Sequence, residues 1–127
     1  MIPGSKENHP SFRKSFGFAI QGFRFAVTSE RNIKVMLGGF VLAVVAGLVV
    51  GLDAARWGVV LLCCGVVLSA ELINTSIETT VDLVSPEYHP LAGRAKDIAA
   101  AATWVLCAFV AIAGIIVIGS AAIEKFL

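Results

Sequence analysis

A chain of 127 residues that is 57% hydrophobic and only 15% charged, with a mean hydropathy of +0.87, is too apolar for an ordinary soluble domain. Its length leaves no room for a second domain. The formal net charge of +1 gives no strongly basic surface, so no nucleic-acid partner is expected. The expectation is a single all-α membrane domain over residues 1–127.

Charge is unevenly placed. Lys6, Arg13, Lys14, Arg24, Arg31 and Lys34 precede the first long apolar run. The opening thirty residues lack the compact apolar core and cleavage site of a signal peptide, and His9 reads as a solvated side chain. From about 11 to 32, Phe12, Phe16, Ile20, Phe23 and Val27 recur at helical spacing, with Arg13, Lys14, Gln21, Arg24 and Arg31 between them. That pattern predicts an amphipathic helix lying on the membrane surface, which Gly17 and Gly22 should weaken or break.

Three membrane helices are predicted after it, at about 35–52, 57–82 and 98–123. Eighteen residues rise roughly 27 Å, enough to cross the hydrocarbon with little tilt. The first connection is only Asp53–Arg56; the second, about Ser85–Asp97, contains Arg94 and Lys96. By the positive-inside rule the N-terminal segment and the second connection face the cytoplasm, and the C-terminus faces outward. Cys63, Cys64 and Cys107 lie in apolar runs without metal-ligand spacing and read as small hydrophobes, with Cys63 and Cys64 on different helix faces.

The apolar run from Trp57 to Ala70 ends at Glu71, which opens a polar series with Asn74, Thr75, Glu78 and Asp82. These recur at i, i+3, i+4, i+7 and i+11 and so share a helix face. A carboxylate at bilayer depth costs about 2.5–3.5 kcal/mol on insertion scales and marks a functional position by default. Glu71 lies about 21 Å along the helix from Trp57, near the inner edge of the hydrocarbon, with Glu78 about 10 Å beyond. A lipid hydroxyl beside Glu71 and a phosphate beside Glu78 fit that spacing. Glu71 is the candidate general base, and Glu78 a candidate Mg²⁺ ligand with Glu30 as a second carboxylate. Asn74 lies one turn from both acids. The bland alternatives are a structural Glu71 bonded to a neighbouring helix and a solvated Glu30. No Walker-type glycine loop is present.

The stretch Glu71-Leu-Ile-Asn-Thr-Ser-Ile-Glu-Thr-Thr-Val-Asp82, followed by Pro86-Glu-Tyr-His-Pro-Leu-Ala-Gly-Arg-Ala-Lys-Asp97, resembles the signature of the bacterial diacylglycerol kinase / undecaprenol kinase family. The resemblance covers nearly the whole chain. It implies a small homotrimeric kinase of the bacterial inner membrane, multi-pass, which transfers the γ-phosphate of Mg-ATP to a lipid alcohol at cytoplasmic-face sites shared between subunits. Carried over by motif, Glu71 is the catalytic base with Asn74 supporting it, and Glu30 and Glu78 hold Mg²⁺. The expected ATP contacts are Phe18, Glu30, Glu78, Asp82, Glu87, Tyr88, His89, Lys96 and Asp97. Arg13, Gln21, Glu71 and Ala100 are the expected lipid contacts. Phe18 stands where some relatives carry Tyr, and Ala100 where some carry Ser. Ser-Pro ahead of Glu-Tyr-His-Pro, Glu-Arg-Asn ahead of the first span and Ile20 in place of an aromatic look more like the undecaprenol kinase branch; diacylglycerol is the alternative substrate. A small transporter subunit is the competing class, but transport sites sit near the midplane, whereas these charges gather at one membrane face.

Overall fold

A computed structural model describes residues 11–127; Lys6 and His9 lie outside the described residues. Within them the chain is wholly helical: α1 spans Phe12–Ser29, α2 Arg31–Val50, α3 Ala54–Val84 and α4 Pro90–Phe126. The last three are long and apolar enough to cross a membrane. Their large side chains are exposed on several faces, among them Leu42 and Leu48 on α2, Leu62 and Ile73 on α3, and Phe109 and Ile115 on α4. Helices that are apolar around most of their circumference belong in lipid.

α3 packs chiefly on α4 and next on α2, while α1 touches α2 and α3. α1 runs unbroken through Gly17 and Gly22, contrary to the expected weakening there; a single glycine costs only about 1 kcal/mol in a helix. The segment expected as one helix to residue 32 ends earlier. Glu30 is extended (φ −98°, ψ 124°), closing α1 and opening α2. Lys34 Nζ donates to the Thr28 carbonyl at 3.1 Å across this joint, and Ala26 and Ile33 are buried on either side of it.

The α2–α3 turn is built by glycine and caps. Gly51 is left-handed (φ 77°), and the Gly51 and Leu52 N–H groups both donate to the Gly47 carbonyl at 3.0 and 3.1 Å, a glycine-terminated helix end. The Trp57 ring lies over Gly47 so closely that an added Cβ would meet it at 2.8 Å. Asp53 caps α3 by accepting from the Arg56 N–H at 2.9 Å. Here Val50, Leu52, Val60 and Ala121 form a small buried cluster. Arg56 engages both carboxylate oxygens of Glu124, and Lys125 Nζ donates to the Val49 carbonyl at 2.7 Å, so the end of α4 is tied to both neighbours.

The second connection is shorter than expected. α4 starts at Pro90, so Arg94, Lys96 and Asp97 lie on its first turns instead of in a loop. Pro90 suits a first helical position, and His89 caps the helix by accepting from the Leu91 N–H at 3.2 Å.

Candidate functional site

Along α3, Glu71 and Asn74 are buried, at 2% and 6% exposure, although both are polar. With the half-buried Glu78 they line one cavity of about 500 Å³. Arg31, Asn32, Val35 and Met36 of α2 form a second wall, and Ala100, Thr103, Trp104 and Cys107 of α4 a third. Helical spacing thus aims Glu71, Asn74 and Glu78 into the space between all three long helices, at the opposite end of the bundle from the Arg56–Glu124 pair, whereas Thr75, expected on the same face, turns toward α1 and Asp82 toward Lys96.

Asn74 Nδ2 donates to Glu78 Oε1 at 3.2 Å. Its Oδ1 is buried without a hydrogen-bond partner among the described residues. A buried amide oxygen left unpaired costs about 1–3 kcal/mol, so the site as built holds an oxygen acceptor awaiting a donor or a cation. With the Glu78 carboxylate of the same cavity it offers two hard oxygen donors of the type that suits Mg²⁺: that ion usually takes one or two carboxylates and completes its shell with water and phosphate oxygens. No cluster of three or more His, Cys, Asp or Glu side chains suited to a metal occurs among the described residues, so the protein would supply only part of the shell.

The remaining sequence-selected residues are distributed unevenly. Ala100 lines the cavity. Asp82, one turn beyond Glu78, accepts from Lys96 Nζ at 2.7 Å. Asp97 is exposed on α4, and Glu87, Tyr88 and His89 are exposed in the connection, where Ser85 Oγ donates to the Glu87 carbonyl at 3.0 Å. Glu30 is half-buried at the α1–α2 joint and is not among the cavity's lining residues. Arg13, Phe18 and Gln21 are exposed on α1 and also lie outside it. α1 instead meets a different face of α3, where Ala19, Phe23 and Ala26 look across at Leu72, Thr75 and Thr79. One chain therefore unites Glu71, Asn74, Glu78 and Ala100, but not the expected contacts on α1.

Thr103 carries no role in the sequence analysis, and Cys107 was expected only as a small hydrophobe. Thr103 is 5% exposed and one turn from Cys107, so α4 sets a hydroxyl and a thiol on the wall that also carries Ala100. Four-residue spacing from the buried Ala99 to Thr103 was the available signal. Cys63 and Cys64, expected on different faces, both border a second, apolar cavity further along the bundle; adjacent helical positions are about 100° apart, narrow enough for one broad cavity to reach both.

The sequence pattern of the family described as prokaryotic diacylglycerol kinase matches residues 17–118. The undecaprenol kinase of Bacillus subtilis (strain 168) is 37% identical over 106 residues, covering 84% of this chain and 86% of that protein. A diacylglycerol kinase of Helicobacter pylori (strain ATCC 700392 / 26695) is 31% identical over 101 residues, 80% of this chain and 79% of that one. A diacylglycerol kinase of Synechocystis sp. (strain ATCC 27184 / PCC 6803 / Kazusa) is 39% identical over 111 residues, 87% of this chain but 61% of that longer protein.

Proposed function

The chain belongs to the prokaryotic diacylglycerol kinase family, is thereby a membrane-embedded lipid kinase, and from that premise we propose that it phosphorylates undecaprenol with Mg-ATP. The observation that carries the reading is the single cavity between α2, α3 and α4 in which the buried Glu71 and Asn74 meet Glu78 at one end of the helix bundle. Glu71 takes the proton of the lipid hydroxyl; that oxygen attacks the γ-phosphorus, the bond to the β,γ-bridging oxygen breaks, and ADP leaves. Asn74 and Glu78 would hold the metal that accompanies the nucleotide, which when bound would offset phosphate charge. Lys96, Asp82 and the Glu87–His89 connection, with Asp97, are the nucleotide side of the site, and Ala100 borders the lipid.

Glu30, Phe18, Arg13 and Gln21 reach the site from a neighbouring subunit of a homotrimer, with α1 lying on the inner membrane surface. This accounts for their position outside the cavity of their own chain. Residues 1–127 act as one domain, with the site at the cytoplasmic face. Undecaprenol is preferred for the Ser-Pro-Glu-Tyr-His-Pro connection and the Glu-Arg-Asn joint. Diacylglycerol is the second reading, favoured by the identity to the Synechocystis protein.

The test is transfer of radiolabel from γ-labelled ATP by purified protein in vesicles, with and without Mg²⁺, to undecaprenol or to diacylglycerol. Labelled undecaprenyl phosphate formed in clear excess over phosphatidic acid supports the reading. Excess phosphatidic acid selects the second reading, and no labelled lipid refutes both.

A further inference from the structure

Beyond Glu71, toward the Arg56–Glu124 end of the bundle, lies a second cavity of about 290 Å³ with walls from α2, α3 and α4. It meets the Glu71 cavity at Met36 and Cys107, which border both. On α4, Cys107, Ala111, Gly114 and Ile118 recur at i, i+4, i+7 and i+11 and share the face that looks into it; from Cys107 to Ile118 the wall runs roughly 16 Å along the helix axis. A Cβ added at Gly39 on α2 or at Gly114 on α4 would meet nothing within 4 Å. The space is therefore left open by small residues.

Its chemistry restricts the occupant. The lining side chains are hydrocarbon or sulfur, and an apolar cavity stays dry and takes apolar guests. A cavity of about 150 Å³ holds one benzene ring, so this one has room for roughly a dozen carbons, a length of one hydrocarbon chain. The polar–apolar sequence along the joined cavities, carboxylate at Glu71, hydroxyl at Thr103, then thiol and hydrocarbon, matches an amphiphile with a terminal alcohol. Gly39 and Ala111 are exposed on the cavity's flank, which gives a longer chain an exit to the bilayer.

We propose that this cavity between α2, α3 and α4 binds the first chain segment of the lipid alcohol whose hydroxyl meets Glu71, making Gly39 and Gly114 determinants of chain recognition. The inference rests on the lipid kinase reading and adds to it where the substrate's chain runs: inside the helix bundle. It implies selectivity for an alcohol carrying one long chain directly behind its hydroxyl.

Gly114→Leu fills the space and, as a glycine replaced within a helix, favours helix formation. Parent and variant in vesicles are compared on undecaprenol and on prenol, a one-isoprene alcohol too short to pass Cys107. The ratio of kcat/KM for the long alcohol to that for the short one should fall at least tenfold in Gly114→Leu and in Gly39→Leu, and should not change in Ile116→Phe, an exposed position outside the cavity. A second readout needs no turnover: methyl methanethiosulfonate labelling of Cys107, mapped by mass spectrometry, should be slowed by undecaprenol in the parent and not in Gly114→Leu. Protection without turnover would sink the kinase reading while leaving the chain site standing. Turnover of undecaprenol with an unchanged ratio in both glycine variants overturns the chain site alone. So does a changed oligomeric state of Gly114→Leu with the ratio preserved, which would make the cavity a seat for a second copy of this chain.

Discussion

Lys96 Nζ donates to Asp82 Oδ1 at 2.7 Å, joining α4 to α3 one turn beyond Glu78. The same two helices are joined at their other end by Arg56 and Glu124. The Asp82–Lys96 pair thus sets the register of the wall that carries Ala100 and Thr103 against the one that carries Glu71 and Asn74. It also holds an ammonium group beside the proposed nucleotide side of the site. A charged hydrogen bond to phosphate is worth about 1.5–3 kcal/mol. Lys96→Met should raise KM for ATP about tenfold or more with KM for lipid nearly constant. Asp82→Asn, which releases the lysine, should raise it less. Steady-state kinetics at saturating lipid decide this; an unchanged KM for ATP in Lys96→Met would reduce the pair to a helix tie.

Glu71→Gln keeps the size and hydrogen-bonding capacity of a side chain that is 2% exposed while removing its basicity. Loss of a general base typically costs about 10²–10⁴-fold. The expected result is a fall in kcat of that size with helical circular dichroism and oligomeric state retained. A kcat within a few-fold of the parent would assign Glu71 a structural role.

At the opposite end of the bundle the forecast concerns stability alone. The Arg56 backbone N–H holds the Asp53 carboxyl below the usual carboxylate range, with the Arg56 guanidinium adding to the effect. A depressed folded-state pKa stabilises the fold above the unfolded value of about 3.9, and that contribution is lost as pH falls through the lowered folded value. Asp53→Ala should therefore melt below the parent at neutral pH, and the gap should close in strong acid. kcat should be unchanged, because Asp53 is remote from the Glu71 cavity. Thermal melts in one detergent across pH test this; a gap that is constant with pH would attribute the effect to packing.

What the sequence disclosed follows the reach of each interaction. The three membrane helices were legible because hydrocarbon demands about twenty apolar residues, and the Glu71–Asn74–Glu78 face was legible because helical spacing is local. Helix ends were not. The start of α4 at Pro90 depends on the His89 side chain turning back to the Leu91 N–H, and the break at Glu30 on one extended residue. Thr103 is unmarked because nothing in its own segment is polar enough to single it out, and Cys107, in an apolar run, reads only as a small hydrophobe. Only the packing of α4 against α3 makes them neighbours of Glu71.

Sidedness supplies a further check. Arg94 and Lys96 flank the second connection, whereas the C-terminal tail carries Lys125, so the rule that basic residues stay inside predicts a cytoplasmic Glu87–His89 segment. A cysteine introduced at Glu87 on a cysteine-free background should resist impermeant maleimide in intact cells, and one at Leu127 should react. Labelling of the Glu87 position from outside would separate the site from cytoplasmic ATP and end the kinase reading.

The placement of Glu30 leads to the last expectation. It sits at the α1–α2 joint and does not border the cavity that holds Glu71, Asn74 and Glu78, whereas Arg31 and Asn32 immediately after it do. A neighbouring subunit's Glu30 is the proposed second carboxylate beside Glu78 for the metal. Glu30→Gln and Glu71→Gln should each be nearly inactive alone, and Glu30→Gln should weaken Mg-ATP use far more than lipid binding, so that its residual activity needs more Mg²⁺. Mixed oligomers of the two variants should recover activity, because some interfaces then pair an intact Glu30 with an intact Glu71. The mixtures are made by co-expression with two affinity tags and sequential purification, so that every oligomer assayed contains both chains. Recovery to a sizeable fraction of the parent rate supports a shared site. Doubly tagged oligomers that remain inactive would mean that each chain completes its own site, and Glu30 would return to being the residue that separates α1 from α2.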